Sequence, residues 1–555
     1  MTASPDIRPT ATHISATPAA EASSRDALAR LTPFGWTGGL LVIVALLAAS
    51  FFLAGYFVIY WRNADMDFMI VYNALVMNDG KPQHFFDHPS YFTILSVKAW
   101  FQAMHALGLL DAWKLSAIPS ALDVPAFDAA MTSAIRAGRM VAWLTATVFV
   151  VVFALLARRI FRDWRIALLA TFAFAFSGGV AVHMRILRSE MIAACLATFA
   201  LMILIIAARR ASNWRPLAIG IAAALCVLGM QNKVQVILVI AALPVLILPF
   251  GTPGATSTAF WRTPARAWIA LLVAAIMAAV MLGLAWPLIA AGFEPETIDI
   301  AQLHALIGGR FGVYQVALLV WIGLAMIAFA LLWRISATET LASMFAVIAG
   351  ASLGLLTLYI QYDPQNVVAV INPLEKMLVF ADPSATSATE GGRISAALGL
   401  LFEGVMFVLR RYTFVLATSP RPTVFLTWLI VPGIAYAAYR REWKVALQAA
   451  LLVLAAIGID SLGVRRGLKP EYIIFTDPLL ILAGALLLER LDNLRWNKWA
   501  YPVGVALIVA HVAVSQAEPV KHVLKRSGPD YICEWNQYYQ PELPMPWCDK
   551  PPKRP

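Results

Sequence analysis

The stretch WRNADMDFMIVYNALVMNDGKPQHFFDHPSY, residues 61–91, follows directly on a long apolar run and carries Asp65, Asp67, Asp79 and Asp87 together with His84 and His88. Asp65 and Asp67 come within about a turn of the end of that run. Carboxylates at such a boundary, between apolar helices, have a basicity that partial burial and neighbouring charge can tune. That makes the pair a candidate general base, able to deprotonate or hydrogen-bond an attacking hydroxyl. The competing reading is a solvated loop, the commonest fate of charged side chains. His88 could bind a divalent ion with Asp67, contact a phosphate, or merely close the loop; no tight set of ligands at fixed spacing supports the metal.

What must position these groups is a membrane. The 555 residues are 60% hydrophobic and 14% charged, with a mean hydropathy of +0.73, whereas soluble chains are about 25% charged. The formal charge of +11 comes largely from Lys and Arg that punctuate apolar runs, a topological signal that argues against a nucleic-acid partner. Residues 1–33, rich in Ala, Ser, Thr and Pro, are expected to form a disordered cytoplasmic extension. A transmembrane domain over 34–515 follows, then an outer tail over 516–555.

Apolar runs of spanning length predict an all-α bundle of about thirteen helices, starting near Trp36, Arg139, Ile166, Met191, Pro216, Val234, Ala267, Val313, Leu341, Val424, Val445, Tyr472 and Lys498. The fifth and sixth share one run interrupted by Gln231-Asn232-Lys233, short for two spans unless the hairpin is tight or tucked into the protein. If the spans alternate, most basic connections fall on one side, which is cytoplasmic by the positive-inside rule. The longer loops, 61–136, 292–312 and 361–421, then face outward with the tail. Tyr91–Leu110 and Arg393–Arg411 read as amphipathic helices along the interface. Cys195 and Cys226 lie in spans and are expected only to pack, whereas Cys533 and Cys548 share the outer tail, where an oxidising compartment allows them to pair.

A second chemical signal appears once the sides are assigned. Arg185, Arg188, Lys233, Arg310, Lys376, Arg393, Arg410, Arg411, Arg465, Arg466 and Lys469 all fall at or near the outer boundary, where topology statistics prefer fewer cations. A lipid-linked phosphate would offset them, its oxygens held by guanidinium groups and its polyprenyl tail lying between apolar helices. Simple pairing with outer acids or lipid headgroups is the alternative.

Asp67-Phe68, Tyr72-Asn73-Ala74, Gly80 and His88-Pro89-Ser90 together resemble the first outer loop of the GT-C glycosyltransferases, polytopic enzymes that take a sugar from a polyprenyl-phosphate carrier. His183-Met184-Arg185-Ile186-Leu187-Arg188-Ser189-Glu190 is similar to that family's short second outer loop, Lys233 to a lysine after the fifth span, and Arg465-Arg466-Gly467-Leu468-Lys469-Pro470-Glu471-Tyr472 to a late Arg-rich approach to a span. The likeness is of the protein mannosyltransferase or aminoarabinose transferase kind. It implies a GT-C-type bundle in a bacterial inner membrane that moves a sugar to a glycan, lipid or protein acceptor on the periplasmic side. Asp67 or Asp65 would be the base. His88, Arg188, Lys233, Arg465, Arg466, Lys469 and Tyr472 would contact substrate, and the cations would stabilise the departing phosphate. Glu190 would orient the acceptor or hold Arg188, unless it is an ordinary helix N-terminal carboxylate. The likeness implies no certain cofactor, and a divalent cation is compatible with it. The likeness departs at Ser90, where the family's element has a second proline, and at Met66, which splits the acidic pair. A transporter or flippase, and a ligase of polyprenyl-pyrophosphate-linked chains, are the rival readings. A transporter would place ionisable groups in mid-span.

Overall fold

A computed structural model describes residues 35–63, 67–84, 90–253, 256–293, 313–373, 402–410, 424–463, 472–491, 497–517, 533, 540–543, 545, 546 and 548. Each of the thirteen apolar runs holds a helix. In chain order the main elements are α1 (Gly35–Phe51), α2 (Met69–Asn78), α3 (Tyr91–Ala106), α4 (Val124–Ile160), α5 (Trp164–Ala175), α6 (Gly178–His183), α7 (Glu190–Arg209), α8 (Arg215–Met230) and α9 (Val236–Ile247). There follow α10 (Pro264–Ala291), α11 (Val313–Trp333), α12 (Ala337–Leu356), α13 (Pro364–Ile371), α14 (Val424–Tyr439), α15 (Trp443–Gly463), α16 (Asp477–Leu491) and α17 (Asn497–Ser515). The chain is an all-α, multi-pass membrane protein. Among the described residues seven helices are long and apolar enough to cross a membrane, namely α1 with its π-helical continuation, α4, α7, α10, α11, α12 and α15.

The shorter apolar helices have identifiable stops. α5 ends because the Ser177 hydroxyl accepts from the Val180 amide at 3.3 Å and starts α6 instead. The Phe176 carbonyl freed by this break is satisfied from α17 by the Ser515 hydroxyl and by Gln516 Nε2. Non-helical backbone at such depth is tolerated only where protein supplies its partners. α8 and α9 are the expected tight hairpin, turning through a buried Gln231–Val234. α4 begins three turns or more before the expected span. Asp123 caps it, accepting from the Ala126 amide at 3.3 Å, and Pro125 occupies its first turn.

The stretch 61–136, expected as an outer loop with one interfacial helix, has a core of its own. Every residue from Met69 to Met77 is buried, the mark of a helix surrounded by protein on all sides. Around α2 pack Ile94, Val97 and Phe101 of α3, Phe127, Met131 and Ile135 of α4, Ile186 and Leu187, and from the far end of the chain Leu543 and Met545. α3 buries Tyr91, Ile94, Val97 and Phe101 on one face, as its amphipathic pattern requires. Most of the second expected interfacial helix, Arg393–Arg411, and the extension 1–33 lie outside the described residues. Cys533 and Cys548 are disulfide-bonded, while Cys195 and Cys226 are free and buried. Burying Leu543 and Met545 contributes roughly 1.5–3 kcal/mol each, and a disulfide closing a loop of this size about 3 kcal/mol.

Elsewhere the bundle is held by backbone approach. A Cβ on Gly220 would lie 2.9 Å from the Ala346 carbonyl oxygen, and one on Gly350 would run into the Gly220 carbonyl, so α8 and α12 cross with no room for side chains. Gly283 in α10 has open space instead. Gly350→Val is therefore expected to cost about 3 kcal/mol or more, and Gly283→Ala to be neutral or stabilising by roughly 0.5–1 kcal/mol. Thermal unfolding in detergent checks both, and equal midpoints for the two variants would contradict the close crossing.

Candidate active site

The site is built around Arg139, a fully buried guanidinium in the first half of α4. Its Nε and Nη2 both reach Asp67 Oδ2 at 2.8 Å, and Nη1 donates to the Val58 carbonyl at 2.5 Å. The other Asp67 oxygen accepts from the Leu187 amide at 2.8 Å. One carboxylate thus ties the end of the first apolar helix, α4 and the α6–α7 connection together. Glycine makes the approach possible: a Cβ on Gly138 would stand 2.8 Å from Leu187 Cδ1 and 3.0 Å from Val71 Cγ2.

Immediately after Leu187 come the residues that cluster. Glu190, fully buried at the start of α7, holds Lys233 Nζ at 2.9 Å through Oε1 and Arg188 Nε at 3.4 Å through Oε2. His183 Nε2 lies 3.7 Å from the same Oε2, while its Nδ1 bonds the Gly179 carbonyl at 2.7 Å. Lys233 Nζ also sits over the Tyr472 ring, 5.9 Å from its centre. Four expected substrate-contacting residues, Arg188, Glu190, Lys233 and Tyr472, therefore meet, although they come from three distant parts of the chain. Glu190 is more than a helix N-terminal carboxylate, because two cations and a histidine converge on it.

Lys233 is aimed by the α8–α9 hairpin, whose polar groups are spent on neighbours. Gln231 Nε2 donates to the Gly354 carbonyl at 2.8 Å, and Gln231 Oε1 accepts from the Thr357 hydroxyl at 3.0 Å. Asn232 Oδ1 caps α3 by accepting from the Thr93 amide at 3.1 Å, while the Ser90 and Tyr91 amides donate to the Asn232 and Gln231 carbonyls. Ser90 sits in the left-handed region at φ 49°. Proline can neither adopt that conformation nor supply the N–H that Asn232 receives, which accounts for the departure from a His-Pro-Pro element.

Two cavities lie in this part of the bundle, and one of them touches the cluster. A small one, with room for about one water molecule, lies among Thr93, Ser96, Thr145, His183 and Arg188. A larger apolar one of about 310 Å³ runs between α7, α8, α9, α11 and α12, from Arg215 at one end to Met230 and Ile237 beside the hairpin.

Asp65, His88, Arg465, Arg466 and Lys469 lie outside the described residues, as do Arg310, Lys376, Arg393 and Arg411. Arg185 turns away from the cluster, donating through Nη2 to the Ser50 hydroxyl at 2.5 Å and to Gln516 Oε1 at 3.2 Å. Among the described residues no three His, Cys, Asp or Glu side chains gather as a metal centre would need. Sequence reasoning missed Arg139, taken only as the start of a span, and gave His183 no role. A charged residue inside an apolar run was the available signal for Arg139.

No model of a known protein family matches the chain, and no characterised protein matches it by sequence. Among solved structures it is similar to the archaeal oligosaccharyltransferase AglB from Archaeoglobus fulgidus in complex with an inhibitory peptide and a dolichol-phosphate, with 13% identity and a TM-score of 0.45 over 94% of this chain and 61% of that one. It is also similar to the apo form of the Archaeoglobus fulgidus oligosaccharyltransferase, with 14% identity and a TM-score of 0.47 over 95% and 62%. The chain spans about three fifths of the length of each. A TM-score below 0.5 does not establish a shared fold, so the chemistry of the site rests on its own residues.

Breaking the central pair leaves a buried charge without its partner. Asp67→Asn and Arg139→Met are each expected to lose about 3–5 kcal/mol, measured as a lower unfolding midpoint in detergent. A double Asp67→Leu/Arg139→Met variant should recover much of that loss. Single variants that melt with the wild type would show that the pair is not desolvated.

Proposed function

We propose that the protein is a membrane glycosyltransferase of the GT-C type, transferring a sugar from a polyprenyl-phosphate donor to a hydroxyl of a glycan, lipid or protein acceptor at the outer membrane boundary. The observation that carries this reading is the juxtaposition of the acidic first outer segment with a cation cluster. Asp67 bonds the Leu187 amide, and Arg188, Glu190 and Lys233 meet directly beside it. The apolar cavity that ends beside the Lys233 hairpin suits an isoprenoid tail whose phosphate lies among Arg188 and Lys233. The sequence resemblance supports the same class, including its mannosyltransferase or aminoarabinose transferase kind.

The reaction is a single displacement at the anomeric carbon. The acceptor oxygen forms its bond to that carbon as the bond to the phosphate oxygen breaks, so the configuration inverts. The acceptor proton passes to a carboxylate, and the departing polyprenyl phosphate is stabilised by Arg188 and Lys233, joined by Arg465, Arg466 and Lys469. Of the two aspartates, Asp67 is buried with both oxygens already accepting from Arg139 and Leu187, which suits a support. Asp65 is then the base, and His88 contacts the substrate. Glu190 sets the spacing of Arg188 and Lys233, and Tyr472 packs against Lys233.

Asp65→Asn is expected to cut transfer from a labelled polyprenyl-phosphate sugar by about 10²–10⁴-fold while leaving the unfolding midpoint unchanged. Lys233→Met should weaken binding of the lipid phosphate itself. Full transfer activity in Asp65→Asn would remove the base. Substrate uptake by sealed vesicles without donor consumption would point instead to transport.

A further inference from the structure

The transfer reaction makes no use of His183, although its ring is buried against Glu190. The short helix α6, which ends at His183, lies backbone to backbone on the turn Ile473–Phe475: a Cβ on Gly179 would stand 2.7 Å from Ile474 Cα and 2.9 Å from its nitrogen. That contact fixes the Gly179 carbonyl, which His183 Nδ1 bonds at 2.7 Å. A carbonyl oxygen only accepts, so Nδ1 carries the hydrogen. Nε2 then presents a lone pair when the ring is neutral and an N–H when it is charged.

Nε2 stands 3.7 Å from Glu190 Oε2, buried and without a hydrogen-bond partner among the described residues. Glu190 is served meanwhile by Lys233 at 2.9 Å, and by Arg188 and the Ser189 hydroxyl, both at 3.4 Å. A neutral ring adds nothing to that carboxylate, because lone pairs would meet; a charged ring adds a donor. The cavity with room for about one water borders His183 and Arg188 together with Thr93, Ser96 and Thr145. A proton therefore has a place to arrive beside the ring.

The other ionisable groups on the elements packed against α6 have their own surroundings. In α4, Arg139 pairs with Asp67, Asp128 accepts from the Tyr60 hydroxyl, and Arg136 lies over the Tyr56 and Phe57 rings. Arg185, just after α6, bonds Ser50 and Gln516. Arg158, Arg159, Arg165 and Arg209 sit at the far ends of α4, α5 and α7, and His511 of α17 is buried. Among the described residues, Glu190 is the acidic side chain within 4.0 Å of the His183 ring.

We propose that His183 is a positioning residue that takes up a proton when a phosphate group binds Arg188 and Lys233, and then holds Glu190 in their place. The inference rests on the reading of these two cations as the phosphate holders. Phosphate oxygens compete for the N–H groups that now serve Glu190. A buried carboxylate that loses its cations is left with an uncompensated charge, and a charged His183 replaces them. The proton comes from solvent, and no bond of the phosphate breaks. The bound state thus holds one proton more than the free one, so affinity for the phosphate rises as pH falls.

The test uses the full-length protein in detergent with farnesyl methyl phosphate as probe. This diester keeps a single charge near neutral pH, whereas a phosphomonoester titrates near about pH 6 by itself. Calorimetry in two buffers of different ionisation enthalpy should show uptake of up to about one proton per probe bound, and affinity should fall roughly tenfold between about pH 6 and about pH 8. His183→Asn, which keeps an N–H for the Gly179 carbonyl, should bind the probe with no proton uptake and no change of affinity with pH. Nitrogen NMR of labelled imidazoles in the wild type should show His183 becoming doubly protonated on binding, a readout that needs no variant. Binding without proton uptake, or a His183 ring whose signals do not move, overturns the role of His183 and leaves the phosphate site standing. Uptake that persists in His183→Asn overturns it as well, since the proton then goes to Glu190 itself. A wild type that does not bind the probe removes the phosphate site, and this inference with it.

Discussion

The packing around α2 depends on one carboxylate shared between two parts of the fold. Asp67 takes both of its Arg139 bonds from a residue 72 positions away and its third from the Leu187 amide, 120 positions away. Removing an isolated pair of charges from water costs more than their attraction returns unless the remaining acceptors and donors are satisfied. Here Arg139 also donates a hydrogen bond to the Val58 carbonyl just beyond the first apolar helix, so the ion pair doubles as a cap on that helix's loose end. Such a pair contributes a fixed geometry more than net stability. It determines that the first outer segment, and not merely a nearby loop, lies beside Arg188 and Glu190.

A second buried ion pair shows what distinguishes a structural pair from the cluster at the outer end. Arg215 Nη1 meets Glu339 Oε1 at 2.7 Å, and the remaining donors and acceptors go to the Ala207 and Arg210 carbonyls and the Ser257 hydroxyl. Among the described residues that is one cation on one carboxylate, knitting α8 to α12 at the end of the bundle opposite the hairpin. Glu190 instead gathers Lys233, Arg188 and His183. Two cations and a histidine thus share one buried carboxylate, an arrangement unlike the Arg215–Glu339 pair.

Polar backbone buried inside the helical bundle makes this gathering possible. The turn between α8 and α9 exposes carbonyls and amides that lipid could not satisfy. Gln231 and Asn232 spend their side chains and carbonyls on Gly354, Thr357, Thr93, Ser90 and Tyr91. Each of those bonds also fixes a neighbour: the first turn of α3, the end of α12, and through Ser90 the chain just after His88. The same contacts that solve a solvation problem thereby place Lys233 within reach of Glu190.

Hydropathy is a local, one-dimensional property, and what it controls was legible in the residues themselves. All thirteen apolar runs hold helices, the interruption at Gln231-Asn232-Lys233 is a tight buried hairpin, and the two cysteines of the outer tail are paired. The candidates Arg188, Glu190, Lys233 and Tyr472 could be named from their sides of the membrane. Their meeting could not be foreseen, because it requires α4, α7 and the hairpin to pack at one height, and that is set by close approaches such as Gly138 against Leu187. Nor could the burial of α2, since Met69–Met77 flanked by Asp67 and Asp79 reads equally as a loop until Leu543 and Met545 cover it from the other end of the chain. The partner of Asp67 lay hidden for the same reason: sequence shows which side chains carry charge, but only the packed structure decides which of them share a place without water.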